Sequence, residues 1–294
     1  RDSLRGTPEV REALDRMWPF LTPAELLHDL FGSKALLKLA GRGVLAEDEA
    51  LGLFRPRSAT VHDVRWTAAD VALLDDAREA LGPKPGRGGK IDEGDEIRTY
   101  GHIVIDEVQD LTPMQLRMAT RRSLNGSMTV VGDLAQATGP LAPDDWDQVL
   151  AHLPDRRPSR VIGLSVGYRI PEQVMDLANR VMAVATPGLR PPQSVRVGDE
   201  TPRLVAASSD AEMLAAAGVE HGSATLSGLD TGVTLVPVSV AKGLELDTVV
   251  VVEPARIVEG QPHGLRALYV ALTRATQRLS VVHTGDLPAA MLIS

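Results

Sequence analysis

Cysteine is absent from all 294 residues, so disulfides and thiolate-bound metals are excluded. The seven histidines show no paired ligand spacing, and any metal would therefore be held by oxygen. No run approaches the roughly 20 apolar residues that a membrane-spanning helix requires. The chain opens Arg1-Asp2-Ser3, with no basic stretch leading into an apolar one. We therefore expect a cytoplasmic protein with no membrane partner, and a portion of a longer polypeptide. A surface basic everywhere is also missing: the net charge is −8, although a local cationic patch remains compatible with phosphate binding.

Phosphate-loop spacing is the last absence. "GPKPGRGGK" has Lys84 where the G-x-x-x-x-G-K-[ST] pattern needs glycine, and Ile91 where it needs a hydroxyl. "FGSKALL" fails the same test inside a helical pattern. What is present is 44% hydrophobic and 24% charged residues, which suits one large or two medium domains with real cores.

The amino-terminal part reads as helix. In "TPEVREALDRMWPFL" Thr7 is a candidate cap, Pro8 a first helical residue and Glu9 a first-turn acid, with Val10, Leu14 and Met17 at helical spacing. "TPAELLHDLFG" and "SKALLKLAG" repeat this pattern of cap and glycine stop. "WTAADVALLDDAREALG" predicts a further helix capped by Thr67, with Val71, Leu74 and Leu81 on one face. There Trp66 reads as core packing and Asp70 as a solvated carboxylate. "GPKPGRGGKIDEGDE" reads as a surface linker.

Beyond it the pattern changes to short β-branched runs: "HIVIDE", "SMTVVGD", "SRVIGLS", "TGVTLVPVS", "DTVVVVEP" and "QRLSVVHT". Such runs alternating with helices predict parallel sheet covered on both faces. Two of them end on acids, Asp106 and Asp133, at the strand ends where doubly wound sheets bind ligands. The stretch "GHIVIDEVQD" thus delivers Asp106 where it can hold Mg²⁺ and Glu107 where it can polarise a water. Taken alone, an acidic turn after a strand fits it equally well. Gln136 follows the next strand as a neutral amide able to sense a phosphate. Arg169 falls at a strand-to-helix junction, an arrangement of like charges that calls for an anion. Lys242-Gly243-Leu244-Glu245 precedes a strand, and Arg274 lies in an apparently helical run before another.

In this order, Asp106-Glu107-x-Gln109-Asp110, Gly132-Asp133-x-x-Gln136, Tyr168-Arg169, Lys242-Gly243-Leu244-Glu245 and Tyr269-Val270-Ala271-Leu272-Thr273-Arg274-Ala275 resemble helicase motifs two to six of the UvrD/Rep class in superfamily one. The resemblance runs from about residue 100 to 283 and implies ATP and Mg²⁺ as cofactors. It implies Asp106 as the Mg²⁺ carboxylate, Glu107 as the catalytic base, and Arg169 and Arg274 as arginine fingers. Gln136, Glu245, Gly243 and Gln109 are its nucleotide-side residues, Glu245 meeting the ribose or the domain interface, while Tyr168 and Asp110 support the motifs. The fold it implies is α/β, with two RecA-like parallel-sheet domains, the first incomplete, after an α-helical entry region. The expected boundaries are 1–82 for that region, 83–99 for the linker, 100–158 for the rest of the first domain and 159–294 for the second.

The departures from the class are a missing motif one, which implies an absent amino-terminal part carrying that loop, and no aromatic directly after Gln136, since Trp146 comes ten residues later. About 70 residues separate Arg169 from Lys242, too few for an ordinary inserted domain. With "RMWPFLTPAELLHDLFG" and "WTAADVALLDDA" these features are most similar to HelD-type proteins. That likeness implies RNA polymerase as partner, with weak or indirect contact to nucleic acid. A DNA helicase and a non-catalytic interaction module stay open as alternatives.

Direct phosphate contacts make affinity fall steeply with salt, and this acidic chain offers few candidates for them. We expect weak, sequence-blind binding to single-stranded DNA in a fluorescence-anisotropy titration, lost by physiological salt. A tight complex that survives physiological salt would favour the DNA helicase.

Overall fold

A computed structural model of the chain describes residues 7–17, 19–83, 97–154, 158–208, 222–223 and 233–292. Most of the expected linker lies outside the described residues. These divide into two compact units, one built from residues 1–103 with 113–127, the other from 104–112 with 128–294. All five motifs therefore lie in the second unit. No helix among the described residues is long and apolar enough to cross a membrane.

The first unit is helical. Its helices are α1 (Pro8–Met17), α2 (Pro23–Phe31), α3 (Lys34–Gly41), α4 (Glu47–Gly52), α5 (Ala68–Leu81) and α6 (Pro113–Arg121). Thr22 and Glu25 form a reciprocal capping box on α2, and Ser33 caps α3, satisfying amides that a helix start leaves without partners. Leu27, Phe31, Leu37 and Ala77 form the core, with Trp66, Leu73 and Leu74 packed against it. Trp66 is thus a packing residue, as read. The packed face of α5 differs from the expected one, because Val71 and Leu81 are exposed and Asp70, Leu74 and Ala77 line the inner stripe. Leu14 and Met17 of α1 are likewise exposed. Helical spacing establishes which residues share a face, but not what covers it.

Asp70 corrects the sequence reading most clearly. It is only 1% exposed, and its carboxylate takes two hydrogen bonds from Arg55, at 2.7 and 3.0 Å. The Thr67 amide and hydroxyl each donate to it at 2.8 Å. The charge is retained in the core because nearly every lone pair has a donor.

The second unit carries the sheet. Strand β1 (Ile103–Ile105) straddles the two units, and β2 is Met128–Val130. The Val131 amide donates to the Ile105 carbonyl at 2.8 Å and the Val108 amide to the Val131 carbonyl at 3.0 Å, so both chains leave these strands still tied together. After α7 (Trp146–Leu150) come β3 (Val166–Gly167), α8 (Glu172–Ala185), β4 (Gln193–Ser194) and β5 (Arg203–Ala206). Then follow β6 (Gly222–Ser223), β7 (Thr234–Leu235), β8 (Leu246–Val252), α9 (Pro254–Glu259), α10 (Gly264–Leu272), β9 (Ala275–His283) and α11 (Ala289–Leu292). The main sheet is parallel, in the order β5-β9-β8, and β3 with β4 and β6 with β7 form short parallel pairs. This mixed α/β architecture with parallel sheets agrees with the expected fold class.

Helices α8 and α10 bury one face of the main sheet, with Val174, Val181, Leu268, Leu272, Leu279 and Val281 at the centre of the core. On the other face Val250 and Val252 remain about half exposed, so coverage of both faces is not seen among the described residues. Two expected strands are short for local reasons. Pro237 lacks an N–H for the ladder and ends β7, so the chain turns into a 3-10 segment at Val238–Val240. Residues 158–164 belong to no strand, with Val161, Ile162 and Leu164 exposed, and pairing begins only where the Ser165 carbonyl accepts the Gln193 amide at 2.7 Å. Strand β5 was not anticipated, because four residues carry too little pattern to read.

Hydrogen bonding to Arg55 holds the Asp70 carboxyl at about 2, below its ordinary 3.8, against the opposing effect of burial and with further help from Thr67. A lowered folded-state value stabilises the fold above about pH 4 and loses that contribution as pH falls through about 2. The half-exposed Arg55 is partly screened, so the contribution is at most about 2 kcal/mol. Asp70→Asn should lower stability by about that amount at pH 7 and flatten the acid limb of a melting-temperature profile between pH 4 and 2; an unchanged acid limb would show that the pair contributes nothing.

Candidate nucleotide site

The site starts where β1 ends. Glu107 has φ 52° and ψ 42°, a left-handed backbone that costs a side-chain-bearing residue roughly 1–2 kcal/mol. This conformation turns the chain from the strand into a 3-10 segment, Val108–Asp110. Asp106 and Glu107 both stay exposed, and the Asp106 carboxylate accepts the Glu107 amide at 2.9 Å. Gln109, by contrast, is carried inside and is 2% exposed.

From Gln109 a chain of hydrogen bonds runs through the unit. Its Nε2 donates to Glu107 Oε2 at 2.6 Å, and its Oε1 accepts the Asp133 amide at 3.1 Å. Asp133 then caps the 3-10 segment Leu134–Gln136, accepting the Ala135 amide on Oδ1 and Gln136 Nε2 on Oδ2, at 3.0 and 2.7 Å. With its donor end engaged, Gln136 presents Oε1 to Arg274, whose Nη2 donates to it at 3.0 Å. Each amide side chain has one donor end and one acceptor end, so the polarity of the chain is fixed from Glu107 to Arg274.

Helix α10 ends at Leu272, so Arg274 sits in the turn before β9 and not within the helix, as the sequence suggested. It is 4% exposed, far from the surface ion-pair residue that an isolated arginine suggests. Its Nε donates to the Val270 carbonyl at 3.0 Å, Nη1 to the Leu244 carbonyl at 3.3 Å, and Nη2 also to Thr273 Oγ1 at 3.1 Å. Every one of these acceptors is neutral, and no ion pair among the described residues includes Arg274. Burial lowers its pKa from the usual arginine value, and the charge of Arg169 lowers it further; Glu107 and Asp133 oppose this from nearby. Tyr269 is buried beside them, and burial together with the Asp133 charge pushes its phenol above the ordinary range.

The turn before β8 supplies the remaining contacts. Lys242 Nζ donates to Asp110 Oδ1 at 2.6 Å and to the Gln136 carbonyl at 3.0 Å, and lies 3.9 Å from Glu107 Oε2. Gly243 follows with φ 78°, in open space, and Glu245 ion-pairs with Arg169. Arg169 lies between β3 and α8, as read, and its carbonyl accepts Arg196 Nη1 at 2.8 Å. A cavity of about 260 Å³ adjoins Asp110 and Lys242 and is lined also by Thr138, Gly139, Ala267 and Val270. It does not reach Asp106, Glu107, Arg169 or Arg274.

The structure thus joins Glu107, Gln109, Gln136 and Arg274 in one bonded chain and pairs Arg169 with Glu245. Asp106 touches it only through the Glu107 backbone. Sequence reasoning placed Asp133 at a ligand-binding strand end and Gly132 and Lys242 within motifs, but gave none of the three a specific contact. The three-residue spacing of Asp133 and Gln136 was the available signal, since an acid capping a short turn can reach the side chain that turn presents. The donor set fits a polyphosphate with Mg²⁺: a buried guanidinium with only neutral partners, a second guanidinium beside it and two exposed carboxylates. No cluster of three or more acidic or histidine ligands exists among the described residues. A Mg²⁺ ion at Asp106 would thus complete its shell with phosphate and water oxygens, as this ion commonly does.

A Cβ at Gly132 would stand 2.3 Å from Gln109 Oε1 and 2.9 Å from Val108 Cγ1. Gly132→Ala should therefore cost on the order of 1–3 kcal/mol by overpacking and push Gln109 off Glu107. Gly243→Ala meets no neighbour and should cost only about 1 kcal/mol, from its positive φ. Denaturant unfolding of both variants checks the order; a smaller loss at Gly132 would contradict the packing described.

No curated protein matches the chain. Residues 232–282, which hold Lys242, Gly243, Glu245 and Arg274, match the UvrD-like helicase C-terminal domain. That match supports a UvrD/Rep-class relationship and, in general terms, a helicase-family, ATP-dependent function with ATP and Mg²⁺.

Proposed function

We propose that this chain is part of an ATP-hydrolysing motor, with Glu107, Arg169 and Arg274 as its catalytic groups, and that the motor remodels or recycles RNA polymerase in the manner of HelD-type proteins. The single observation that carries the ATPase reading is Arg274, a guanidinium buried without a carboxylate partner beside Arg169 and Glu107. Burying a charge costs several kcal/mol unless something compensates it, and an incoming phosphate is the compensation that the neighbouring residues suit. RNA polymerase as partner rests on the likeness to HelD-type proteins: the missing motif one, the missing aromatic after Gln136, the short stretch between Arg169 and Lys242, and the helical segments "RMWPFLTPAELLHDLFG" and "WTAADVALLDDA". A DNA helicase is the second reading, favoured by the helicase-domain match at residues 232–282.

When bound, ATP with Mg²⁺ supplies the transferable phosphoryl group and the charge that activates it. Asp106 would contribute a carboxylate oxygen to the metal. Glu107 would take the proton of the attacking water, and Gln109 fixes its carboxylate by occupying Oε2. Arg274 is already desolvated and held at four oxygens, so it would meet developing charge with little reorganisation. Gln136 lies between Arg274 and Asp133 and would couple the phosphate end of the site to strand β2. Gly243 would allow Glu245 to approach the ribose or the domain interface. The reading also requires a phosphate-binding loop from an amino-terminal part of the same motor, since a backbone nest of that kind cradles the β- and γ-phosphates.

In the protein with that loop present, Arg274→Ala should lower single-turnover hydrolysis on the order of 10³-fold or more. Nucleotide affinity should change only modestly. Near-normal turnover would refute the finger role. The same preparations, tested for retention of RNA polymerase and of single-stranded DNA, separate the two partner readings.

A further inference from the structure

Arg169 and Arg274 are neighbours with opposite circumstances. Arg274 is buried among neutral oxygens, whereas Arg169 is 45% exposed and its Nη1 is bound to Glu245, itself 55% exposed. Adjacent residues of one turn bring the two guanidinium groups together: the Leu244 carbonyl accepts Arg274 Nη1 at 3.3 Å, and the Glu245 carboxylate accepts Arg169 Nη1. An arginine at the start of a helix, beside a second arginine, calls for an anion, and in this structure Glu245 is that anion.

We propose that Glu245 is an internal stand-in for phosphate. It holds Arg169 while the site is free of polyphosphate and must release it when one binds, so this carboxylate sets part of the site's affinity. The proposal rests on the reading of the site as a phosphate site and adds a competitor built into it.

Three features make the exchange feasible. Both partners are about half exposed, so an entering anion reaches Arg169 without unfolding the core. Glu245 directly follows a turn whose Gly243 has φ 78° with no atom within 4 Å of a Cβ position, which leaves room for the turn to move. The same turn is tied to Arg274 through the Leu244 carbonyl and to Asp110 through Lys242, so release of Glu245 is felt at both ends of the site. The pair is also of the right strength. An exposed ion pair is weak, and its loss corresponds to no more than about a fivefold change in an equilibrium constant. A polyphosphate carrying several charges can outbid it.

The test is calorimetric titration of the protein, with its phosphate-binding loop present, with inorganic tripolyphosphate at low ionic strength and without Mg²⁺. This probe has no ribose, so any contact of Glu245 with a sugar does not enter. Glu245→Gln should tighten binding about three- to fivefold, and Arg169→Ala should weaken it. In the Arg169→Ala background, Glu245→Gln should have no further effect, because nothing remains to be released. Equal tightening in both backgrounds would reveal only the general gain from removing a negative charge, and would overturn the proposal. Unchanged or weaker binding by Glu245→Gln in the otherwise native chain would overturn it as well, while leaving the phosphate-site reading intact. Absence of tripolyphosphate binding in every protein would overturn that reading and the stand-in with it.

Discussion

The hydrogen bond from Arg274 to Gln136 is the interaction on which the candidate site depends. A guanidinium withdrawn from water must find an acceptor for each donor, or the burial is prohibitive. The surrounding residues follow from that requirement. Helix α10 stops at Leu272, which leaves the Val270 carbonyl for Nε, and the turn before β8 presents the Leu244 carbonyl to Nη1. Gln136 can offer its oxygen because Asp133 engages its nitrogen. What this set lacks is negative charge, and that deficit turns a packed arginine into a candidate for phosphate chemistry.

The same bonded chain explains a strained backbone and a glycine. Glu107 adopts a left-handed conformation, and the turn it begins carries Gln109 inward beneath the two exposed carboxylates. Gln109 then occupies the space that a side chain at position 132 would need. Strain at Glu107 is offset by the Gln109 bond to its carboxylate and by the ladder bonds that tie Val108 and Val131. A surface loop bearing two acids would need none of this support.

Much of this was legible before the structure. Strand-then-acid at Asp106 and Asp133 is written in β-branched runs, and the capped helix starts at Thr22 and Ser33 follow from residue type and spacing. The parallel sheet follows from apolar runs that alternate with helices. The rest was not legible, because it depends on contacts between residues far apart in the chain. Nothing near Asp70 in sequence announces that Arg55 will neutralise it, and nothing near Arg274 announces that the Gln136 amide and the Leu244 carbonyl will be among its partners. Pairing of Glu245 with Arg169 spans 76 positions and has no local signature at all. Periodicity likewise cannot say which face of β8 is covered, since Val249, Val250, Val251 and Val252 are identical in sequence.

The most direct test of the account is a structure of the protein, with its phosphate-binding loop, bound to Mg·ADP and aluminium fluoride, a mimic of the transferring phosphoryl group. The account predicts the guanidinium groups of Arg274 and Arg169 within hydrogen-bond distance of the fluoride and Asp106 on the metal side. Arg274 bonded only to its protein oxygens, with no contact to the mimic, would contradict it.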